Sequence, residues 1–136
     1  MLNQAVSMAL PSNDGALVTV PIPNAHATVV DFFAPTCVPC KAALPLLVAK
    51  EEAIEAKGGK LVLVAVLGDG ESSDDAKAAL TSWGVSRSFL VDNGDASRAS
   101  AGVSSLPATL VLDAQGTMKW AAPVGASADD VVAAIP

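Results

Sequence analysis

The chain has 136 residues, of which 51% are apolar and 4% aromatic, and its formal net charge is -6 at pH 7. This size predicts one domain over residues 1–136, with 1–15 as an N-terminal extension, and the apolar fraction suffices for a core of Val, Ala and Leu. No basic run is present, which argues against nucleic-acid binding, and no apolar stretch reaches the roughly 20 residues of a membrane-spanning helix.

Apolar runs and turn signals predict an α/β chain. Two near-continuous apolar runs, 28–33 and 61–67, are typical of buried strands. Capping-box spacings at 72–75 and 127–130 predict two helix starts. In chain order the predicted elements are strands 16–20 and 28–33, helix 37–57, strand 61–67, helix 76–83, strand 89–91, helix 95–101, strands 109–112 and 117–121, and a last helix to residue 135. This order implies a mixed sheet flanked by helices.

The long predicted helix contains a proline and ends at a glycine pair. Pro45 lies inside it and, because proline lacks a backbone N–H, we expect a kink there. Gly58 offers the left-handed residue that commonly follows the last turn of a helix.

The two cysteines of the chain, Cys37 and Cys40, lie where strand 28–33 passes into this helix. A helix N-terminus carries partial positive charge, which stabilises a thiolate and lowers the pKa of a thiol placed there. Residues three apart share a helix face, so the pair can form a disulfide or separate as a dithiol. One close pair argues against a disulfide-stapled scaffold, which leaves a redox-active, metal-binding or inert pair.

Metal binding has few candidate ligands. His26 is the single histidine, and its position beside a Pro/Asn turn predicts a surface residue. A tetrahedral zinc site would need a further carboxylate or a second chain. We therefore expect no metal site.

The order of elements around Cys-Val-Pro-Cys resembles the thioredoxin fold. Asp31 lies six residues before Cys37, like the buried acid of thioredoxins, and Pro45 lies five residues after Cys40, like their helix-kinking proline. A Leu-Pro pair ending at Pro107 precedes a strand and hairpin, like their cis-proline loop. The resemblance covers residues 16–135. It implies a central mixed β-sheet flanked by helices.

The Cys-Val-Pro-Cys-Lys form, and an extra helix–strand insertion between Leu67 and Val103, resemble the TlpA/ResA-like branch of exported bacterial thiol–disulfide oxidoreductases. This resemblance implies a reductant of protein disulfides, with protein disulfide or dithiol substrates, a thiol electron donor and no bound cofactor. It also implies a periplasmic or otherwise extracytoplasmic location, with the cytoplasm as the alternative. We expect a monomer.

The cysteines then take different roles. Cys37, nearest the turn, is predicted to be the exposed attacking thiolate, and Cys40, one helical turn further on, the buried resolving thiol. A carboxyl group in apolar surroundings has a raised pKa, so Asp31 could accept the Cys40 proton near neutral pH. The alternative is that Asp31 only caps or hydrogen-bonds nearby backbone.

Five residues are expected to contact substrate: Thr36, Val38, Pro39, Leu106 and Pro107. The resemblance implies a cis Pro107 that places the Leu106 backbone beside the sulfurs, where an extended substrate can add as a strand. An ordinary trans proline is the alternative. Val38 and Pro39 set the helix-start geometry, since proline is tolerated in a first turn. Thr36 replaces the tryptophan usual in the family, which removes a large flat contact surface.

Two other functions stay open. A peroxiredoxin-type thiol peroxidase needs an arginine near the thiolate and a threonine at a set spacing. Thr36, immediately before Cys37, does not have that spacing, and we expect Arg87 and Arg98 to be solvated. The second alternative is a thioredoxin-fold binding module with idle cysteines.

Overall fold

The computed structural model describes residues 2–94 and 96–136. Its helices and strands are β1 (Met8–Pro11), β2 (Leu17–Val20), β3 (Ala27–Phe33), α1 (Val38–Val48), α2 (Glu51–Ala56), β4 (Gly59–Leu67), α3 (Ser73–Ser82), β5 (Leu90–Asn93), α4 (Ala96–Ser100), β6 (Ala108–Asp113), β7 (Met118–Ala121) and α5 (Ala128–Ala133). This order confirms the predicted alternation. Asp95, where the sequence places the start of the α4 helix, lies outside the described residues.

Strand β3 lies at the centre of a five-stranded mixed sheet of order β5-β4-β3-β6-β7. It runs parallel to β4 and antiparallel to β6. All seven β3 residues are buried. Its apolar run has this length and composition because a central strand covered on both faces has no solvated side.

Each face of the sheet has its own core. Alternate residues of a strand point to opposite faces, and Val29 and Phe33 pack with buried residues of α1, α2, α3 and α5. Val30 and Phe32 pack on the opposite face with the N-terminal segment, β2 and the residues after α4. Helix α1, which begins at the cysteine pair, therefore packs on the Val29 face.

The chain before β2 contributes more structure than predicted, since β1 has no counterpart among the predicted elements. It pairs antiparallel with β2, and Val6 and Met8 are buried. The strand has only four residues and ends in Pro11. A short edge strand with a proline carries little sequence signal.

The predicted continuous helix 37–57 is wrong in its continuity, because it divides into α1 and α2. Helix α1 continues through Pro45 and ends at Val48, with Ala49 as its C-cap. The Lys50 amide then donates to the carbonyl of Leu47, three residues back, at 2.9 Å. Such a bond tightens a last turn and ends the α-helical ladder. The predicted stop at Gly58 is confirmed by its φ of +82°.

Candidate active site

Cys37 and Cys40 form a disulfide at the start of α1, with Cα atoms 5.3 Å apart. Cys37 is the N-cap, with extended backbone, and its Sγ accepts a hydrogen bond from the Cys40 amide at 3.2 Å. A sulfur there takes the capping position usually held by a side-chain oxygen. Cys37 is half-buried, whereas Cys40 is completely buried. The predicted burial of Cys40 is thus confirmed, whereas Cys37, which was predicted to be exposed, is only half-buried but still the more accessible of the two.

The turn that carries the first cysteine leaves its neighbours exposed to solvent. The Cys37 amide donates to the carbonyl of Ala34 at 3.1 Å, which closes the turn after β3. Thr36, Val38 and Pro39 are all exposed, and Val38 is 78% accessible. Pro39 occupies the first turn of α1, where its missing N–H would have no helical partner.

Asp31 is buried in the central strand, with 3% of its surface exposed. It pairs in register with Thr109 of β6, whose hydroxyl donates to Asp31 Oδ1 at 2.7 Å. Within the described part of the chain, Oδ2 has no hydrogen-bond partner. Burial raises the pKa of this carboxyl from 3.8 to about 7, and the Thr109 hydrogen bond offsets part of that rise. The carboxyl can therefore gain or lose a proton near neutral pH.

The Leu106–Pro107 peptide bond is cis, which confirms that prediction. Leu106 and Pro107 are half-buried and lead directly into β6. A second cis bond, Val20–Pro21, ends β2 and has no signal in the sequence.

A groove of about 810 Å³ collects several of these residues. Of the predicted site residues, Asp31, Pro39, Leu106 and Pro107 line this groove, whereas Thr36, Cys37, Val38 and Cys40 are not part of its lining.

The groove also includes side chains that were not predicted as site residues. Leu46 of α1 and Val124, both exposed, lie in its lining together with Thr109. Thr109 could not be identified from the sequence because its contact with Asp31 depends on the register of two strands.

Other candidate features lie elsewhere. His26 is exposed, as predicted, and its Nε2 bonds the Pro136 carbonyl oxygen at 2.5 Å. The expectation that Arg87 is solvated is wrong, because Arg87 is half-buried and forms a bidentate pair with Glu51 and a hydrogen bond to the Leu61 carbonyl. Leu61 lies near the start of β4, away from the end of β3 that leads to the cysteines.

Residues 2–94 and 96–136 contain no group of three or more His, Cys, Asp or Glu side chains arranged to hold a metal ion. None of their helices combines the length and hydropathy that a bilayer crossing requires.

Known structures share this architecture. StoA from Bacillus subtilis aligns with a TM-score of 0.80 and 16% identity, over 98% of this chain and 99% of StoA. A thiol:disulfide interchange protein of the thioredoxin family from Chlorobium tepidum aligns with a TM-score of 0.76 and 20% identity, over 99% and 94% of the two chains. A secreted Mycobacterium tuberculosis disulfide oxidoreductase, described as homologous to E. coli DsbE, aligns with a TM-score of 0.72 and 20% identity. The alignment covers 94% of this chain and 93% of that protein.

Sequence comparison adds nothing to this likeness, since no protein-family model and no curated protein matches the chain. The structural match extends over nearly the whole chain, and it includes relatives described by a thioredoxin domain or family. The chain therefore has the thioredoxin fold, with a Cys-Val-Pro-Cys disulfide at the first turn of its α1 helix and a cis-proline before β6.

Proposed function

We propose that this chain is a thiol–disulfide oxidoreductase that exchanges disulfides with protein partners through Cys37 and Cys40. The observation that carries the proposal is the unequal burial of a cysteine pair at a helix start, with Cys37 half-buried and Cys40 fully buried. A client disulfide can reach only the outer sulfur, and the inner sulfur can then complete the exchange. This arrangement fits exchange better than an inert structural crosslink between residues three apart.

The reaction has two steps. The Cys37 thiolate attacks one client sulfur, a Cys37–client disulfide forms, and the second client sulfur leaves with the electron pair and takes a proton. The Cys40 thiol then loses its proton to Asp31 and attacks the Cys37 sulfur. The client sulfur leaves and is protonated, so the client is reduced to a dithiol and the enzyme is oxidised to its disulfide. A thiol electron donor returns the enzyme to the dithiol.

We infer that the groove beside the cis-proline receives the client segment that flanks the reacting cysteine. The backbone of Leu106 would pair with an extended client chain, while Thr36, Val38, Pro39 and Pro107 would contact it. The charged residues that line the groove besides Asp31 are Lys50 and Asp129, which pair with each other at 2.9 Å.

The exposed groove residues Leu46 and Val124 are apolar. The groove therefore offers a mainly apolar surface, although the whole chain carries a net charge of -6. It suits a client segment with apolar side chains beside its cysteine.

We further infer that the chain is a monomeric, single-domain reductant of the TlpA/ResA-like branch that acts outside the cytoplasm. Two observations support this inference. The relatives include thiol:disulfide interchange proteins and a protein described as secreted. The segment between Leu67 and Val103 contains the additional helix and strand that resemble this branch.

Insulin reduction with dithiothreitol tests the proposal. We expect activity from the wild type, none from Cys37→Ser, and a trapped mixed disulfide with Cys40→Ser. Absence of activity above the dithiothreitol background would contradict it. Peroxide consumption that survives Cys40→Ser but not Cys37→Ser would instead indicate a peroxidase, and a Cys37 thiol with an ordinary pKa of about 8.5 would indicate a binding module.

A further inference from the structure

Thr109 has a contact that the exchange reaction alone does not explain. It lies two residues after the cis-proline, on the strand that the Leu106–Pro107 loop leads into. Its hydroxyl donates to Oδ1 of Asp31 at 2.7 Å across the β3–β6 pair. The hydroxyl of Thr109 is therefore committed to a hydrogen bond with one buried carboxyl group.

The hydrogen bond distinguishes the two oxygens of Asp31. Oδ1 is held by Thr109, while Oδ2 is buried without a partner among the residues described and belongs to a side chain that lines the groove. Asp31 alternates with Val30 and Phe32 along β3, so it points to the face where Cys40 is buried. Oδ2 is therefore the oxygen left available for a proton from that face.

Few other groups can stabilise the carboxylate form. The strand β4 presents a leucine opposite Asp31. The sulfurs of Cys37 and Cys40 lie at the start of α1, and Lys41 of α1 is exposed. The other charged residues that line the groove, Lys50 and Asp129, pair with each other. Among the described residues, Thr109 is thus the group that favours the ionised form of Asp31, and burial opposes it.

A hydroxyl suits both states of a proton acceptor. It donates to Oδ1 of the ionised carboxylate, and it can still donate to Oδ1, which is then the carbonyl oxygen, once Oδ2 carries the proton. Thr109 can therefore keep the Asp31 carboxyl in one orientation before and after the proton arrives. A valine has nearly the same shape and can do neither.

We propose that Thr109 is a positioning residue for the proton transfer, which holds Oδ1 so that Oδ2 takes the proton of Cys40. The inference rests on the proposed function for its chemistry. The proton moves from Cys40 Sγ to Asp31 Oδ2, the resulting thiolate attacks Cys37 Sγ, and the bond from Cys37 to the client sulfur breaks with its electron pair leaving on the client. Strand β6 begins directly after the cis-proline loop and carries Thr109. One short segment therefore contains both the loop proposed to contact the client and the residue that orients the Asp31 carboxyl.

The test compares Thr109→Val with Thr109→Ser, and uses Thr28→Val as a matched control. Thr28 is a buried threonine of the same sheet whose hydroxyl accepts from the Ile22 amide at 3.0 Å, at the opposite end of β3. Carboxyl carbon NMR follows the titration of Asp31 in the oxidised protein. Single-turnover reduction of a quenched fluorescent peptide disulfide gives the exchange rate. Both are measured from about pH 5 to about pH 9, a range that brackets the raised pKa of Asp31.

We expect Thr109→Val to raise the midpoint of the Asp31 NMR titration, and the corresponding midpoint of the pH–rate profile, by about one pH unit. Loss of one hydrogen bond to the carboxylate predicts a shift of this size. Thr109→Ser should restore it and Thr28→Val should leave it unchanged. Equal midpoints in wild type and Thr109→Val would overturn the inference, and so would an NMR shift without a matching shift in the rate profile. If the wild type itself reduces no disulfide, the proposed function fails, whereas the NMR titration still decides whether Thr109 controls Asp31.

Discussion

Replacing Asp31 by asparagine should stabilise the oxidised protein, and the gain should grow with pH. The folded state raises the pKa of this buried carboxyl from 3.8 to about 7. The folded state therefore binds the Asp31 proton more tightly than the unfolded state does. Below the unfolded value, Asp31 is protonated in both states and costs nothing. As pH rises from about 4 to about 7, ionisation favours the unfolded chain, and above that range the full cost applies.

The magnitude follows from the two pKa values. At about 1.4 kcal/mol for each tenfold change in proton affinity, the rise from 3.8 to about 7 lowers the free energy of unfolding by about 4 kcal/mol at high pH. Roughly 1 to 2 kcal/mol of this applies at pH 5. The advantage of Asp31→Asn over the wild type should therefore increase by about 2 to 3 kcal/mol between pH 5 and pH 8.5.

Urea unfolding of the oxidised wild type and variant at these two pH values measures the difference, since the disulfide keeps the cysteines from titrating. Asp92→Asn is a suitable control because Asp92 is also buried, but its carboxylate accepts hydrogen bonds from the amide and hydroxyl of Ser97. That variant should lose stability. An Asp31→Asn protein that gains the same amount at pH 5 and pH 8.5, or gains nothing, would refute the assignment of burial as the dominant effect.

Three further outcomes follow from the structure. Leu46 lines the groove and is 64% exposed, so Leu46→Glu should raise KM several-fold for a peptide disulfide whose cysteines have apolar neighbours. Leu17 is 71% exposed but lies outside the groove lining, so Leu17→Glu should leave this KM unchanged when the two variants are compared by steady-state kinetics. Gly116→Ala should cost more stability than Gly15→Ala in urea unfolding, because both have positive φ but only the first would place a Cβ 2.8 Å from a backbone oxygen. Ser127→Ala should lower the free energy of unfolding by about 1 kcal/mol, since it removes the capping box of α5.

The parts of the fold that could be predicted from sequence have local causes. The apolar run of β3, the proline in the first turn of α1 and the capping box at Ser72 each act on their immediate neighbours. They therefore specify the strand-to-helix turn that carries the cysteines. The cis peptide bond before Pro107 could be predicted only from the resemblance to the thioredoxin family, because composition does not distinguish a cis from a trans proline.

The remaining features depend on residues that are distant along the chain. Thr109 meets Asp31 across 78 positions of sequence, through a strand register that no local pattern specifies. Arg87 pairs with Glu51, which is 36 positions earlier in the sequence. This pairing explains why Arg87, a charged residue in a loop, is half-buried. The groove combines α1, the cis-proline loop and the segment before α5, and its apolar lining becomes visible only when these are assembled.

The burial of Asp31 connects stability to chemistry. An exposed carboxyl group would cost the fold nothing, but with an ordinary pKa near 4 it would be a weak acceptor for a thiol proton at neutral pH. Burial beside an apolar strand makes it a stronger base and also a destabilising one. The Thr109 hydroxyl opposes the rise in the Asp31 pKa because it donates a hydrogen bond to the carboxylate, and a larger fraction of Asp31 is therefore ionised and able to accept a proton at neutral pH. The strand pair β3–β6 thus sets proton affinity by balancing desolvation against one hydrogen bond. For this reason, a substitution on β6 that leaves both cysteines in place should still alter their exchange.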